Sequence, residues 1–215
     1  MQSFIITLTG ASGCGKTYVM DKISEASIKL EKIGLVFKPK RIKKQTTRNY
    51  RIEEIIEIID GKIDNIDVES VVKLDDDCDL VYQTYGKKYG LKLSVLENAL
   101  KNNECPVVII NDVRVVEELK KKFPNRVLSL YIFREIPNYD KLKKLSSGRG
   151  AVSNEEVRGR FNKAVAMHRT YIENITLFDK VILNIKKIIS KVVNLTIQEF
   201  KFLTLLKLLW KINMF

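Results

Sequence analysis

Residues 10–17 read GASGCGKT and follow directly on the apolar run FIITLT, residues 4–9. The eight residues fit G-x-x-x-x-G-K-[ST] in full, through Gly10, Gly15, Lys16 and Thr17. A short β-branched run before the glycines and a helical pattern after them make the strand–loop–helix setting that this motif needs. Glycines let successive backbone N–H groups converge on phosphate oxygens, and the helix N-terminus adds a favourable dipole. A lysine at position 16 can reach the β- and γ-phosphates, and the Thr17 hydroxyl can take a place on Mg²⁺. The stretch is therefore a nucleotide-phosphate cradle. Gly10, Ala11, Ser12, Gly13, Cys14, Gly15, Lys16 and Thr17 are expected to hold the phosphates of a nucleotide, with Lys16 on the β- and γ-phosphates and Thr17 on a Mg²⁺ carried by the nucleotide.

The remaining pattern continues an α/β chain. KTYVMDKISEASIKLEKIG predicts a helix ended by Gly34, and LVFK a second short strand. LSVLENALKNN predicts a helix, PVVIIND a strand ending on Asp112, VVEELKKKF a helix and VLSLYIF a strand. NEEVRGRFNKAVAMHRTYIENI predicts a long helix opened by a capping box of Ser153 and Glu156, and KVILN a last strand. Strands that are continuous apolar runs, alternating with helices, imply a parallel sheet covered on both faces.

The chain has 215 residues, 45% of them hydrophobic, which suffices for one sizeable domain. A net charge of +12 suits nucleic acid, an anionic membrane or phosphorylated small molecules. The aromatic clusters that stack bases are not evident, so nucleic acid is not expected as a partner. Three dispersed cysteines, Cys14, Cys78 and Cys105, argue against a disulfide framework or a zinc site. MQSFIITLTGAS lacks the features of a signal peptide, and no apolar run is long enough to span a bilayer. A reducing cytoplasm is the expected compartment. His168 is expected to be solvated or to pack on its helix, Cys14 to be a small filler, and LDDDCD, residues 74–79, to be a solvated loop rather than a metal site.

The cradle alone leaves kinases, switch GTPases and motor ATPases open. The chain has no N-K-x-D, which a guanine-specific GTPase would carry, and no long charged strand of the helicase kind. Instead QTTRNYR sets Arg48 and Arg51 three residues apart after a basic run. Two guanidinium forks suit a phosphate, because bidentate N–H···O geometry matches its oxygens.

In order and spacing, GASGCGKT, TTRNYR, YQTYGKKYG, VVIIND, SSGRG, VRGRF and FDKVILN resemble the guanylate kinase family over about residues 3–185. The resemblance implies a P-loop NTPase-type parallel sheet flanked by helices, with a substrate-binding lobe at about 39–100 and a lid at about 138–160. It implies transfer of the γ-phosphoryl of ATP to GMP with Mg²⁺. Arg48, Arg51 and Tyr89 fall where the family grips the acceptor phosphate, and Asp112 where an acid helps bind the base. Arg149 falls on a lid arginine near adenine, Arg160 on a catalytic lid arginine reaching the transferring phosphoryl, and Asn184 closes the ATP-binding set.

Departures concentrate on guanine recognition. The family's serine after YG is Leu91, its glutamate ten residues before Gly90 is Leu80 with Asp79 adjacent, and the first of two expected aspartates is Ile110. The tyrosine expected near Asp64 is absent, and Leu145 replaces a lid arginine. GMP read by Asp112, Asp79 or backbone groups is the leading acceptor. Another phosphorylated acceptor such as ribose 1,5-bisphosphate is the alternative, followed by a non-catalytic guanylate-kinase-like module, against which the intact Lys16–Thr17 pair counts. Residues 186–215 form a Lys- and Leu-rich tail, expected to be a basic amphipathic helical segment. It could pack on the domain, pair two copies into a homodimer, lie on an anionic membrane or stay disordered.

Overall fold

The computed structural model describes residues 3–84, 86–134, 140, 143 and 153–184. The main sheet has five strands, all parallel: β1 (Ile5–Thr9), β2 (Pro39–Arg41), and three later strands at Cys105–Ile109, Val127–Phe133 and Lys180–Leu183. A second sheet of four short strands lies between them in sequence: β3 (Lys44–Thr46), β4 (Val68–Ser70), β5 (Leu80–Thr84) and β6 (Lys87–Leu91). The main-sheet strands that follow are therefore β7, β8 and β9. The order is β2-β7-β1-β8-β9 in the main sheet and β4-β3-β6-β5 in the second. β1 is central, and strand order reverses across it, which places a crevice at its carboxyl end.

Period-two alternation in β1 divides the core. Phe4, Ile6 and Leu8 face a cluster completed by α1 (Lys16–Glu31). Ile5 faces the opposite cluster, built from α3 (Leu93–Lys101), α4 (Val113–Lys122) and the second sheet. α1 contributes Val19, Met20, Ile23, Ala26 and Leu30, all buried. Full burial of each larger apolar side chain is worth about 1.5–3 kcal/mol. The long helix α5 (Asn154–Glu173) adds Tyr171, whose ring stacks on Tyr131 of β8 at 4.2 Å. His168 joins this aromatic group, its Nδ1 3.1 Å from the Tyr131 hydroxyl, and burial lowers its pKa. Helices thus cover both faces of a parallel sheet, as the apolar runs predict.

Two details differ from the sequence reading. LVFK is not a strand: the ladder begins at Pro39, because Leu35 is tied back to the end of α1 through its N–H to the Leu30 carbonyl. Phe37 of that run is buried and stacks on Phe4 instead. Pro39 is tolerated as the first residue of a sheet-edge strand. The strand of PVVIIND ends at Ile109, so Asp112 lies past it as the N-cap of α4. Ser153 does open α5, its carbonyl accepting from Val157 N–H at 3.1 Å, while the Glu156 side chain lies outside the described residues. The tail 186–215 also lies outside them, as do Arg149 and, save 140, 143 and 153–160, the expected lid.

Leu80, Leu91 and Ile110, which stand where the resembled family has polar base readers, all belong to the core beneath the second sheet. Restoring an acid there is not a neutral change, since Ile110 is 0% exposed. Ile110→Asp is expected to destabilise the fold by about 3–5 kcal/mol, the scale of an uncompensated buried charge. A denaturant melt of the variant, with an unchanged midpoint as the contrary result, checks this.

Candidate active site

The cradle is held from behind by chain far away in sequence. Gly10 has φ 153°, and a Cβ there would come 2.5 Å from the Ile132 carbonyl oxygen. Gly15 has φ 95°, and its missing Cβ leaves room for the Asn184 side chain. Asn184 Nδ2 donates to the Cys14 carbonyl at 2.5 Å, and Arg134 Nη1 donates to the Gly13 carbonyl at 3.0 Å. Neither contact is legible as spacing in the sequence. Gly15 caps α1 without a side-chain hydrogen bond, and no acid sits in the first turn. The first N–H groups of that helix are thus left for an anion.

Lys16 folds over the loop, its Nζ donating to the Gly10 and Ala11 carbonyls at 2.7 and 2.8 Å. Burial lowers its pKa, against the opposing pull of Cys14 and Asp67. Thr17 is exposed at the mouth of the same cleft.

That cleft joins the cradle to the second sheet. Lys16 and Thr17 face Arg48, Arg51 and Tyr89 across it. Four expected roles, those of Lys16, Arg48, Arg51 and Tyr89, are therefore assigned to side chains that share one cavity. Arg48 is already engaged: Nη1 and Nη2 bind the two Glu54 oxygens at 2.7 and 2.5 Å. Glu54 lies in α2 (Ile52–Ile59), and its Oε2 also accepts from the Arg51 backbone N–H at 2.8 Å, which fixes the first turn of that helix. The end of the Arg48 guanidinium is thus taken, and the buried Nε–H beside it has no hydrogen-bond partner among the described residues. Tyr89 stacks on Tyr82 at 5.3 Å, and Tyr82 is buried enough to push its pKa well up.

Asp79 and Asp112 do not line this cleft; they share a separate recess with Arg114 and Glu118. Both serve helix starts. Asp79 Oδ2 accepts from Leu93 N–H at 2.7 Å, at the beginning of α3. Asp112 Oδ1 accepts from Arg114 N–H at 3.0 Å, and its Oδ2 from Arg114 Nη2 at 2.7 Å. The Arg114 hydrogen bond, outweighing burial, holds the Asp112 pKa down. Arg160 lies in α5, its side chain outside the described residues.

Several cleft residues have no counterpart in the sequence reading. Lys44 and Asp67 form an ion pair at 2.7 Å, with side chains 4% and 18% exposed. Thr84 accepts a hydrogen bond from Lys163 Nζ of α5. Asn111 also lines the cleft, and its Oδ1 is buried without a partner among the described residues. The acidic loop 74–79 is solvated, with Asp75, Asp76, Asp77 and Asp79 exposed, and Asp75 also accepts from Gln45 Nε2 and Lys92 Nζ, each at 2.7 Å.

Burial opposes ionisation of Asp67, but Lys44, Arg48 and Arg51 outweigh it and lower its pKa. The unfolded chain, with an ordinary carboxylate, therefore binds the proton first as pH falls. The pair's stabilisation is complete above about pH 4 and drains away as pH drops through the lower folded-state value. In the double variant Lys44→Met/Asp67→Asn, the melting temperature should fall less steeply than in the unsubstituted chain below about pH 4. Calorimetric melts across that range test this, and parallel slopes would contradict it.

No protein-family model matches the chain. Among solved structures it is similar to guanylate kinase from Anaplasma phagocytophilum, at 16% identity and a TM-score of 0.53, over 93% of this chain and 85% of that one. Shikimate kinase from Bacteroides thetaiotaomicron aligns at 13% identity and a TM-score of 0.41, over 91% of this chain and 96% of that one, a score too low to bear on the fold. No helix among the described residues is long and apolar enough to cross a membrane. The likeness to the guanylate kinase establishes a shared fold, an α/β chain whose parallel sheet is flanked by helices.

Proposed function

We propose that the protein transfers the γ-phosphoryl group of ATP to a phosphorylated acceptor, a nucleoside monophosphate with GMP foremost. The observation that carries this reading is one cleft with a phosphate cradle on one wall and Arg48, Arg51 and Tyr89 on the other. Phosphoryl transfer is mostly positioning and charge stabilisation, so cations on both reacting phosphates are what it requires. Lys16 would leave the loop carbonyls for the β- and γ-phosphates, while the uncapped start of α1 binds the same chain of phosphates. Arg48, steadied by Glu54, would offer its side edge to the acceptor phosphate.

The donor set fits a Mg²⁺ that arrives with ATP. The Thr17 hydroxyl would hold it, and Asn111, whose buried Oδ1 has no donor among the described residues, lines the same cleft. Bound there, Mg²⁺ would neutralise charge on the β- and γ-phosphates. As the resemblance implies, Arg149 is proposed to lie near adenine and Arg160 to reach the transferring phosphoryl, on a lid that excludes water.

A second reading has its own support. Leu80, Leu91 and Ile110 are packed in the core, and Asp79 and Asp112 cap helices away from the cleft. An acceptor without guanine, such as ribose 1,5-bisphosphate, would need none of them. A coupled assay for ADP release across GMP, dGMP, AMP, UMP, CMP and ribose phosphates separates the two readings. ADP release with none of these acceptors would defeat both.

Two variants test the roles. Lys16→Ala is expected to lower kcat at least about 100-fold, the worth of a well-aimed donor, with little change in melting temperature. Undiminished turnover would remove the central claim. Arg48→Lys is expected to cut kcat/KM for the acceptor by about 100-fold while ATP affinity holds. A single ammonium cannot bind both Glu54 oxygens and also present a two-donor edge. If ATP binding weakens while acceptor kinetics hold, Arg48 belongs to the other phosphate.

A further inference from the structure

Among the described residues lining the cleft, Asp67 is the one carboxylate, set among Lys16, Lys44, Arg48 and Arg51. A carboxylate repels phosphate, so its presence in a phosphate-binding cleft calls for an explanation. Offsetting the charge of Lys44 does not by itself account for it, because a buried ion pair is commonly no better than apolar residues of the same volume.

The pair is built with care on one side only. Lys44 sits in β3 and Asp67 immediately before β4, and the two strands pair in parallel with Lys44 opposite Val68. Lys44 N–H donates to the Asp67 carbonyl at 3.2 Å, and Lys44 Nζ donates to Asp67 Oδ2 at 2.7 Å. Asp67 Oδ1 takes no hydrogen bond from any described residue, and it is not sealed from solvent. Two other carboxylates near the lobe have both oxygens engaged, Glu54 on Arg48 and Asp112 on Arg114. Asp79, with one oxygen on Leu93 N–H, faces the separate recess.

We propose that Asp67, clamped through Oδ2 by Lys44, is the residue with which the cleft selects its acceptor, Oδ1 accepting a hydrogen bond from an N–H or O–H group of that molecule. The inference rests on the phosphoryl-transfer reading, in which Arg48, Arg51 and Tyr89 hold the acceptor's phosphate. Lys44 is then a positioning residue: it fixes the carboxylate's orientation and offsets its charge against the phosphate beside it. A fixed acceptor aimed at a donor discriminates strongly, since a ligand lacking the donor leaves the carboxylate oxygen unpaired. The acceptor is thus a phosphorylated molecule with a donor group within reach of its phosphate, a nucleotide's base or sugar or the hydroxyls of a sugar phosphate.

Titration calorimetry on the full chain with a non-hydrolysable ATP analogue tests the assignment. The probes are GMP with IMP, GMP with 2′-deoxy-GMP, and ribose 1,5-bisphosphate with its 2-deoxy form, each pair differing by one donor group. The unsubstituted chain is expected to prefer the donor-bearing member of one pair by about tenfold or more. Asp67→Asn should erase that preference. Should this variant fail to fold with Lys44 left unpaired, Lys44→Met/Asp67→Leu removes both charges and every side-chain acceptor and should erase it equally, while Lys44→Arg should retain it. A preference that survives in the double variant overturns the role of Asp67 and leaves phosphoryl transfer standing. Binding of no probe by the unsubstituted chain overturns both.

Discussion

Everything in the site depends on where β1 ends. Flanked by β7 on one side and β8 on the other, it is locked in register by parallel ladders along its whole length. The glycine loop therefore leaves the sheet at a fixed point, above the crevice opened by the reversal of strand order. Gly10 can approach the Ile132 carbonyl so closely only because it has no side chain. From that point the loop carbonyls hold Lys16, and α1 starts with its N–H groups facing the cleft.

The second sheet supplies what the loop lacks. It brings cations to the opposite wall, and each arrives with a countercharge: Arg48 with Glu54, and Lys44 with Asp67. Packing positive groups in a confined cleft costs free energy that fixed carboxylates offset. The site is consequently poised and not merely basic. In the proposed reading, a phosphate entering it would meet guanidinium and ammonium groups already oriented, and would compete with the acids that orient them.

What could be read in the sequence follows from the length and polarity of each element. β1, β7, β8 and β9 are apolar runs, and α1, α3, α4 and α5 have helical spacing and recognisable ends, so their existence and order were legible. The second sheet was not. β3 is KQT, three polar residues that are nonetheless all buried, and β4 is three residues long. Their burial comes from neighbours across the lobe, which no local pattern encodes. The same holds at the site. The glycine loop is a local motif and was legible, whereas Lys44 and Asp67 are 23 residues apart and meet only through β-pairing. Asp79 and Asp112 stood out as acids near strand ends, and nothing local distinguishes an acid that caps a helix from one that faces a ligand.

The loop's rear supports also bear on how the molecule is made. Asn184 reaches Cys14 across 170 residues, and Arg134 reaches Gly13 across 121. Contacts of such separation come late, because the entropy of closing the intervening chain must be met first. During synthesis the loop emerges well before both of its supports and is therefore among the last segments to acquire its final shape. A ribosome-bound chain that has not yet released β9 lacks the Asn184 support of the glycine loop, so the loop gains that support only after β9, the last strand among the described residues, has docked.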